Sequence, residues 1–144
     1  MKRLTNCMTH CMTTAAAVLM VTAGVASAQT VLKAEVPFAF HVGGKVMEPG
    51  TIRVRLNGAN FSGVIVNNYD AKRTYMVLPK SIGDAPKKWI ASGEPRLAFD
   101  CSTGTCILAQ VWTGQGHAYQ LYGPKTRAGE TILTEIVMKP DKAD

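Results

Sequence analysis

From residue 30 onward the chain never runs long without a break. Gly, Pro or Asn-Gly signals recur roughly every 8 to 12 residues, with short β-branched segments between them. This spacing predicts an all-β fold, an antiparallel β-sandwich or small barrel of about 7–9 short strands, with no helix longer than a turn. The segments carry period two. In residues 34–42, Val36, Phe38, Phe40 and Val42 share one face, and Glu35, Pro37, Ala39 and His41 take the other. The aromatics therefore point to a core and His41 outward. Pro37 lacks an amide proton, which predicts an edge strand or a bulge there. Residues 51–56 alternate cleanly, with Ile52, Val54 and Leu56 inward and Arg53 and Arg55 outward. Glu48-Pro49-Gly50 precedes them and Asn57-Gly58 follows, both turn-forming sequences. Residues 63–66, 72–78, 96–101, 106–112, 117–122 and 131–138 read as further strands. Residues 80–95 carry no clear period.

The other end of the chain sets the compartment. Lys2 and Arg3 precede an apolar run over residues 15–26, and Ala26-Ser27-Ala28 has the small-x-small form of a signal-peptidase site. A transmembrane helix needs roughly 20 apolar residues, more than this run supplies. The expectation is a cleavable signal helix over 1–28 and one all-β domain over 29–144, exported to the periplasm or medium, with no transmembrane segment after cleavage. Removing Lys2 and Arg3 lowers the formal net charge from +6 to a mildly basic value. That is short of a nucleic-acid-binding arm and compatible with attraction to anionic envelope polymers.

Cys7 and Cys11 leave with the leader, so Cys101 and Cys106 remain. An oxidising compartment favours a disulfide between them. A structural zinc site would want four Cys or His ligands, and the spacing is not the C-x-x-C of thiol oxidoreductases. Register supports a staple. With the two cysteines opposed, Phe99 faces Leu108 and Leu97 faces Gln110, with Trp112 further along that face. Ala98 and Asp100 then share the other face with Ile107, Ala109 and Val111.

The stretches "VPFAFHVGGKVMEPGTIRVR", "SGVIVNNYDAKRTYMV" and "LAQVWTGQGHAYQL" resemble a family of small exported bacterial proteins of unassigned function. Its pattern is Pro-Phe-x-Phe, then Val-Gly-Gly-Lys, then Pro-Gly-x-Tyr-x-Val. Pro37, Phe38, Phe40, Val42, Gly43, Gly44, Lys45, Pro49, Gly50 and Val54 match it, while Ile52 stands in place of the tyrosine. The resemblance implies an exported all-β protein and brings no catalytic residues.

Sequence signatures of catalysis are missing. There is no Gly-x-Ser-x-Gly elbow and no His-Glu-x-x-His, and Gly43-Gly44-Lys45 continues into Val46 rather than Ser or Thr. No cofactor or metal is implied. His41 or His117 could join a triad only through spatial neighbours that sequence does not reveal. Asn60-Phe61-Ser62 fits a glycosylation acceptor. Residues 80–95 form a connection longer than a hairpin needs, and they hold Lys80 and the run Lys87-Lys88-Trp89. These last three are the candidate ligand-binding residues, cations beside a stacking ring, suited to an anionic envelope glycan or a protein partner. Trp112, Tyr119 and Tyr122 resemble a carbohydrate-binding set, although such residues more often serve sheet packing. The expected role is an exported, non-catalytic binding or interaction module. A small secreted hydrolase is the alternative, or an exported enzyme inhibitor, although a basic surface suits poorly an inhibitor of cationic lysozymes.

Overall fold

The structure is a computed structural model describing residues 30–58, 63–122 and 133–142. The leader, the acceptor pattern at Asn60 and the start of the last strand at Thr131 lie outside the described residues.

Strand β1 (Leu32–Val36) buries Leu32, Ala34 and Val36 and exposes the residues between them. The chain then breaks at 37–39 and resumes as β2 (Phe40–Val42) in a different sheet. Pro37 has no donor to continue the first ladder, so it marks a sheet switch rather than an edge strand. The period-two pattern survives because both sheets face one core: Val36, Phe40 and Val42 are all buried. Phe38 bridges the crossing, its ring edge-on to Phe99 at 5.1 Å. Gly43-Gly44 turns the chain into β3 (Lys45–Met47), which pairs back on β2. β4 (Gly50–Leu56) lies antiparallel to β1, and β5 (Val64–Asn68) and β6 (Arg73–Val77) continue the meander. Gly50 has φ 145°, and a Cβ there would stand 2.6 Å from Asp70 Oδ2, which accepts the Thr51 amide at 2.8 Å. Only glycine suits that approach.

The 80–95 stretch holds β7 (Ser81–Gly83) and one short helix, α1 (Lys87–Ser92), where neither was expected. Pro86 opens the helix, its carbonyl accepting the amides of Trp89 and Ile90. Gly93, at φ 68°, closes it in the left-handed cap that glycine permits. Then come β8 (Arg96–Asp100), β9 (Cys106–Trp112), β10 (Ala118–Gln120), β11 (Leu133–Val137) and β12 (Lys139–Pro140). Among the described residues, twelve strand segments thus stand where about 7–9 were expected. Residues 34–42 divide at Pro37, β3 and β7 form in stretches read as turn and loop, and β12 follows the expected end of the last strand at Met138, whose amide turns to the Pro95 carbonyl.

The first sheet runs β12-β1-β4-β5-β6. The second runs β11-β8-β9-β10-β7, with β2 parallel to β9 and β3 outside β2. Their facing sides share one core. Ile52, Val54, Val64 and Val66 of the first sheet meet Phe40, Leu97, Phe99, Leu108 and Val111 of the second. Burying each such side chain is worth about 1.5–3 kcal/mol. The arrangement is mostly β, in two sheets, and fits a sandwich.

The β8–β9 hairpin carries the Cys101–Cys106 disulfide across its turn, with Cα atoms 4.0 Å apart. The turn is braced locally, since Asp100 Oδ1 accepts both the Ser102 amide and its hydroxyl. Asp100 faces Ile107 and Phe99 faces Leu108, as the opposed cysteines require. Beyond that the expected register fails. A bulge between Ala98 and Phe99 sets Ala98 against Gln110, Leu97 against Val111 and Arg96 against Trp112. Ala109 is the extra residue, and its carbonyl accepts the amides of Leu121 and Tyr122. Past the bulge every side chain of β9 points to the opposite face from that expected. Val111 enters the main core, and Trp112 joins Ala98 on the far side of the second sheet. There Ala85, Trp89, Ala98, Trp112 and Ala118 make a smaller core.

Replacing Cys101 and Cys106 together by Ala is expected to lower unfolding free energy by about 1–3 kcal/mol while the β-sheet circular dichroism is unchanged. Denaturant titration checks the first point. Quantitative labelling of thiols in the unfolded wild type should find neither cysteine free.

Candidate functional site

The cluster anticipated in the 80–95 stretch is built differently from the expectation. Trp89 is fully buried and stacks on Trp112, with ring centroids 6.3 Å apart and planes at 26°. Its face is occupied, so it offers no stacking platform to a ligand. Lys88 pairs through Nζ with Glu135 Oε1, and Arg96 Nη1 reaches Glu135 Oε2 at 3.1 Å. Arg96 Nη2 also meets Glu94 at 3.2 Å. Lys80 lies over the Tyr122 ring at 5.6 Å, while Lys87 remains exposed. The helix is thus pinned to the sheet by a tryptophan pair and a carboxylate shared between two cations.

Burial alone would raise the Glu135 pKa. Hydrogen bonds from Lys88 and Arg96, the Lys88 charge and the nearby Trp89 indole outweigh burial and hold it below its ordinary 4.5. The Trp89 Nε1 makes no well-formed hydrogen bond, so we count it as a dipole aimed at the carboxylate rather than as a bond.

A different basic surface is assembled on the outer face of the first sheet. The alternation of β4 sends Arg53 and Arg55 to that side. Strand pairing then brings in residues distant in sequence. Lys33 stands directly opposite Arg53 on one neighbour and opposite Lys139 on the other. Continuing along the same row, Arg53 faces Asn67 and Asn67 faces Thr74. Three cations therefore lie side by side across adjacent strands. Like charges directly opposite destabilise a sheet, and Asp141 offsets part of this. Its Oδ1 lies 3.2 Å from Lys33 Nζ and its Oδ2 2.7 Å from Arg53 Nε. The second contact is close but poorly aligned, leaving Arg53 Nε buried without a hydrogen bond. The Arg53 guanidinium lies over the Tyr69 ring, its Cζ 4.3 Å from the centroid.

Arg53, Arg55, Ile65, Asn67, Thr74 and Asp141 line an open groove of about 250 Å³ on this face. Asn67 also borders a wider hollow of about 500 Å³ around Tyr69, Asp70 and Lys72. Asn67 and Thr74 are tied by a 2.6 Å hydrogen bond, which leaves the Thr74 hydroxyl hydrogen available to donate. Two charges of this face, Arg53 and Arg55, are readable in sequence as the outward half of an alternating strand. Lys33 and Lys139 are not, because only the register of β12 on β1 brings them alongside.

His41 and His117 stand apart from this face. His41 is half-buried on β2, across from Val46 and Ile107. His117 Nδ1 lies 3.9 Å from Asp84, whose side chain is 97% exposed, so water screens the pair. A triad carboxylate orients its histidine from a buried position, which Asp84 does not have. Among the described residues no three His, Cys, Asp or Glu side chains are grouped to hold a metal ion, and no helix is long and apolar enough to cross a membrane. Comparison with known protein families, characterised proteins and solved structures finds no match.

The Glu135 cluster has a pH signature. A carboxyl with a depressed folded pKa contributes stability that is fully present above its unfolded value, near 4.5, and is lost as pH falls through the folded one. Glu135→Gln is expected to cost about 1–2 kcal/mol at neutral pH. The gap between variant and wild type should close in acid below the folded pKa. Denaturant titrations at neutral pH and in strong acid check it.

Proposed function

We propose that the protein is an exported, non-catalytic binding module that holds an anionic polymer, such as an acidic envelope glycan, across the outer face of its first sheet. The observation that carries this reading is the row Lys139–Lys33–Arg53, three cations in direct cross-strand register. A sheet gains nothing in stability from such a row, whereas a polyanion laid across it gains a contact from each residue. The face is open and five strands wide, roughly 19 Å at the usual strand spacing. That shape suits an extended chain better than an enclosed small molecule. The Arg53–Tyr69 contact adds a guanidinium set over an aromatic ring, and Thr74 adds a hydroxyl for the polar rim of a sugar. Export is supported by the leader pattern over 1–28, by the resemblance to small exported proteins, and by a disulfide that persists best in an oxidising compartment.

The test is calorimetric titration of the mature protein with polygalacturonate, at low and high ionic strength. Wild type is expected to bind, and its affinity to fall as salt rises. Lys33→Gln/Arg55→Gln/Lys139→Gln, which leaves the Arg53–Tyr69 contact in place, should weaken binding by about tenfold. Equal affinity in variant and wild type would remove the face from the account. Absence of binding by the wild type to polygalacturonate and to dextran sulfate alike would end the reading.

A further inference from the structure

The strand β12 and the residue after it bring a carboxylate of the chain's own into the basic groove. Asp141 follows directly on β12, and its amide donates to the Val31 carbonyl at 2.8 Å. That bond anchors its backbone beside β1, and its side chain reaches Lys33 and Arg53. The carboxylate sits between the two cations, 3.2 and 2.7 Å away, and is only 13% exposed. It is therefore seated in the groove rather than waving above it. Yet the seat is imperfect. Arg53 Nε stays without a hydrogen bond although Asp141 Oδ2 is close enough to accept one. Carboxylate–guanidinium pairs are strongest when two parallel N–H···O bonds form, and the short Asp141 side chain, tethered by its own backbone, does not achieve this.

We propose that the groove recognises carboxylate groups, as on a polyuronate, and that Asp141 is an internal stand-in which the ligand carboxylate must displace. This rests on the binding reading above and adds the chemistry of the ligand and a built-in competitor. A ligand carboxylate free of the backbone tether can turn to face Arg53 in the bidentate arrangement that Asp141 misses. Arg55 flanks the same groove and receives the next acidic group along the polymer. The wild-type affinity is accordingly the difference between the ligand's contacts and those of Asp141. Removing the resident carboxylate raises it.

Binding of polygalacturonate, of its methyl ester and of dextran sulfate is measured for wild type, Asp141→Asn and Asp84→Asn. Asp84 lies beyond β7 on the second sheet and is almost fully exposed, so its variant makes the same change in net charge away from the groove. The expected result is polygalacturonate binding about fivefold tighter in Asp141→Asn, the scale of one or two freed surface ion pairs. Asp84→Asn should be unchanged, the methyl ester should not bind, and dextran sulfate should gain less than polygalacturonate. Equal tightening in Asp84→Asn would reduce the effect to bulk charge and overturn the proposal. A dextran sulfate gain as large as that for polygalacturonate would overturn the carboxylate assignment. If wild type binds polygalacturonate and Asp141→Asn binds no tighter, the stand-in role fails while the binding face survives. If no protein binds any polyanion, both fail.

Discussion

Ala109 is the residue on which the arrangement of the second sheet turns. It has no partner on β8, and its carbonyl is taken by the amides of Leu121 and Tyr122. One unpaired residue in a ladder of period two moves every later side chain to the other face. Before it, Leu108 packs into the main core; after it, Val111 does so while Trp112 turns away. The second sheet thereby acquires two buried faces, one against the first sheet and one beneath α1. Trp89 then has a surface to close over, and Glu135 has a helix to hold. Without the bulge Trp112 would fall in the main core and Trp89 would lose its stacking partner.

That single residue also explains where sequence reading succeeds and where it stops. The alternations of residues 34–42 and 51–56 mark inward side chains correctly, since burial against a common core imposes period two whichever sheet a segment joins. The disulfide is legible from the even count of cysteines left once residues 1–28 are read as a leader, and the hairpin register next to it from their spacing. The bulge was not legible. Ala109 and Val111 are both apolar, so a strict two-residue period and a shifted one fit β9 almost equally well. The helix escaped for a related reason: six residues are too few to show a 3.6-residue period, and Pro86 and Gly93, which delimit it, also suit an irregular loop.

The site followed the same pattern. A tryptophan beside two lysines in a long connection suggests an exposed platform, but a large apolar ring gains more from burial than from solvent. Trp89 takes the cover that Trp112 offers, and Lys88 then lies within reach of Glu135. On the first sheet the outward arginines of β4 were visible at once, yet they became a cationic row only through pairing with β1 and β12, a contact spanning nearly the whole domain. Local alternation gives the direction of a side chain. Its neighbours come from the long-range register, and the chemistry of a sheet face depends on the neighbours.

A row of like charges across a sheet is costly in the free protein, and the central claim is that this face is shaped for a ligand and not for stability. Measuring unfolding free energy at low and high salt for wild type and Arg55→Thr/Lys139→Thr tests it most directly. Threonine suits a strand, and neither residue holds Asp141 in place. The account predicts a variant more stable than wild type by about 0.5 kcal/mol at low salt, with the difference shrinking as salt screens the repulsion. A variant equally stable or less stable at low salt would contradict it, because the cations would then be serving the fold.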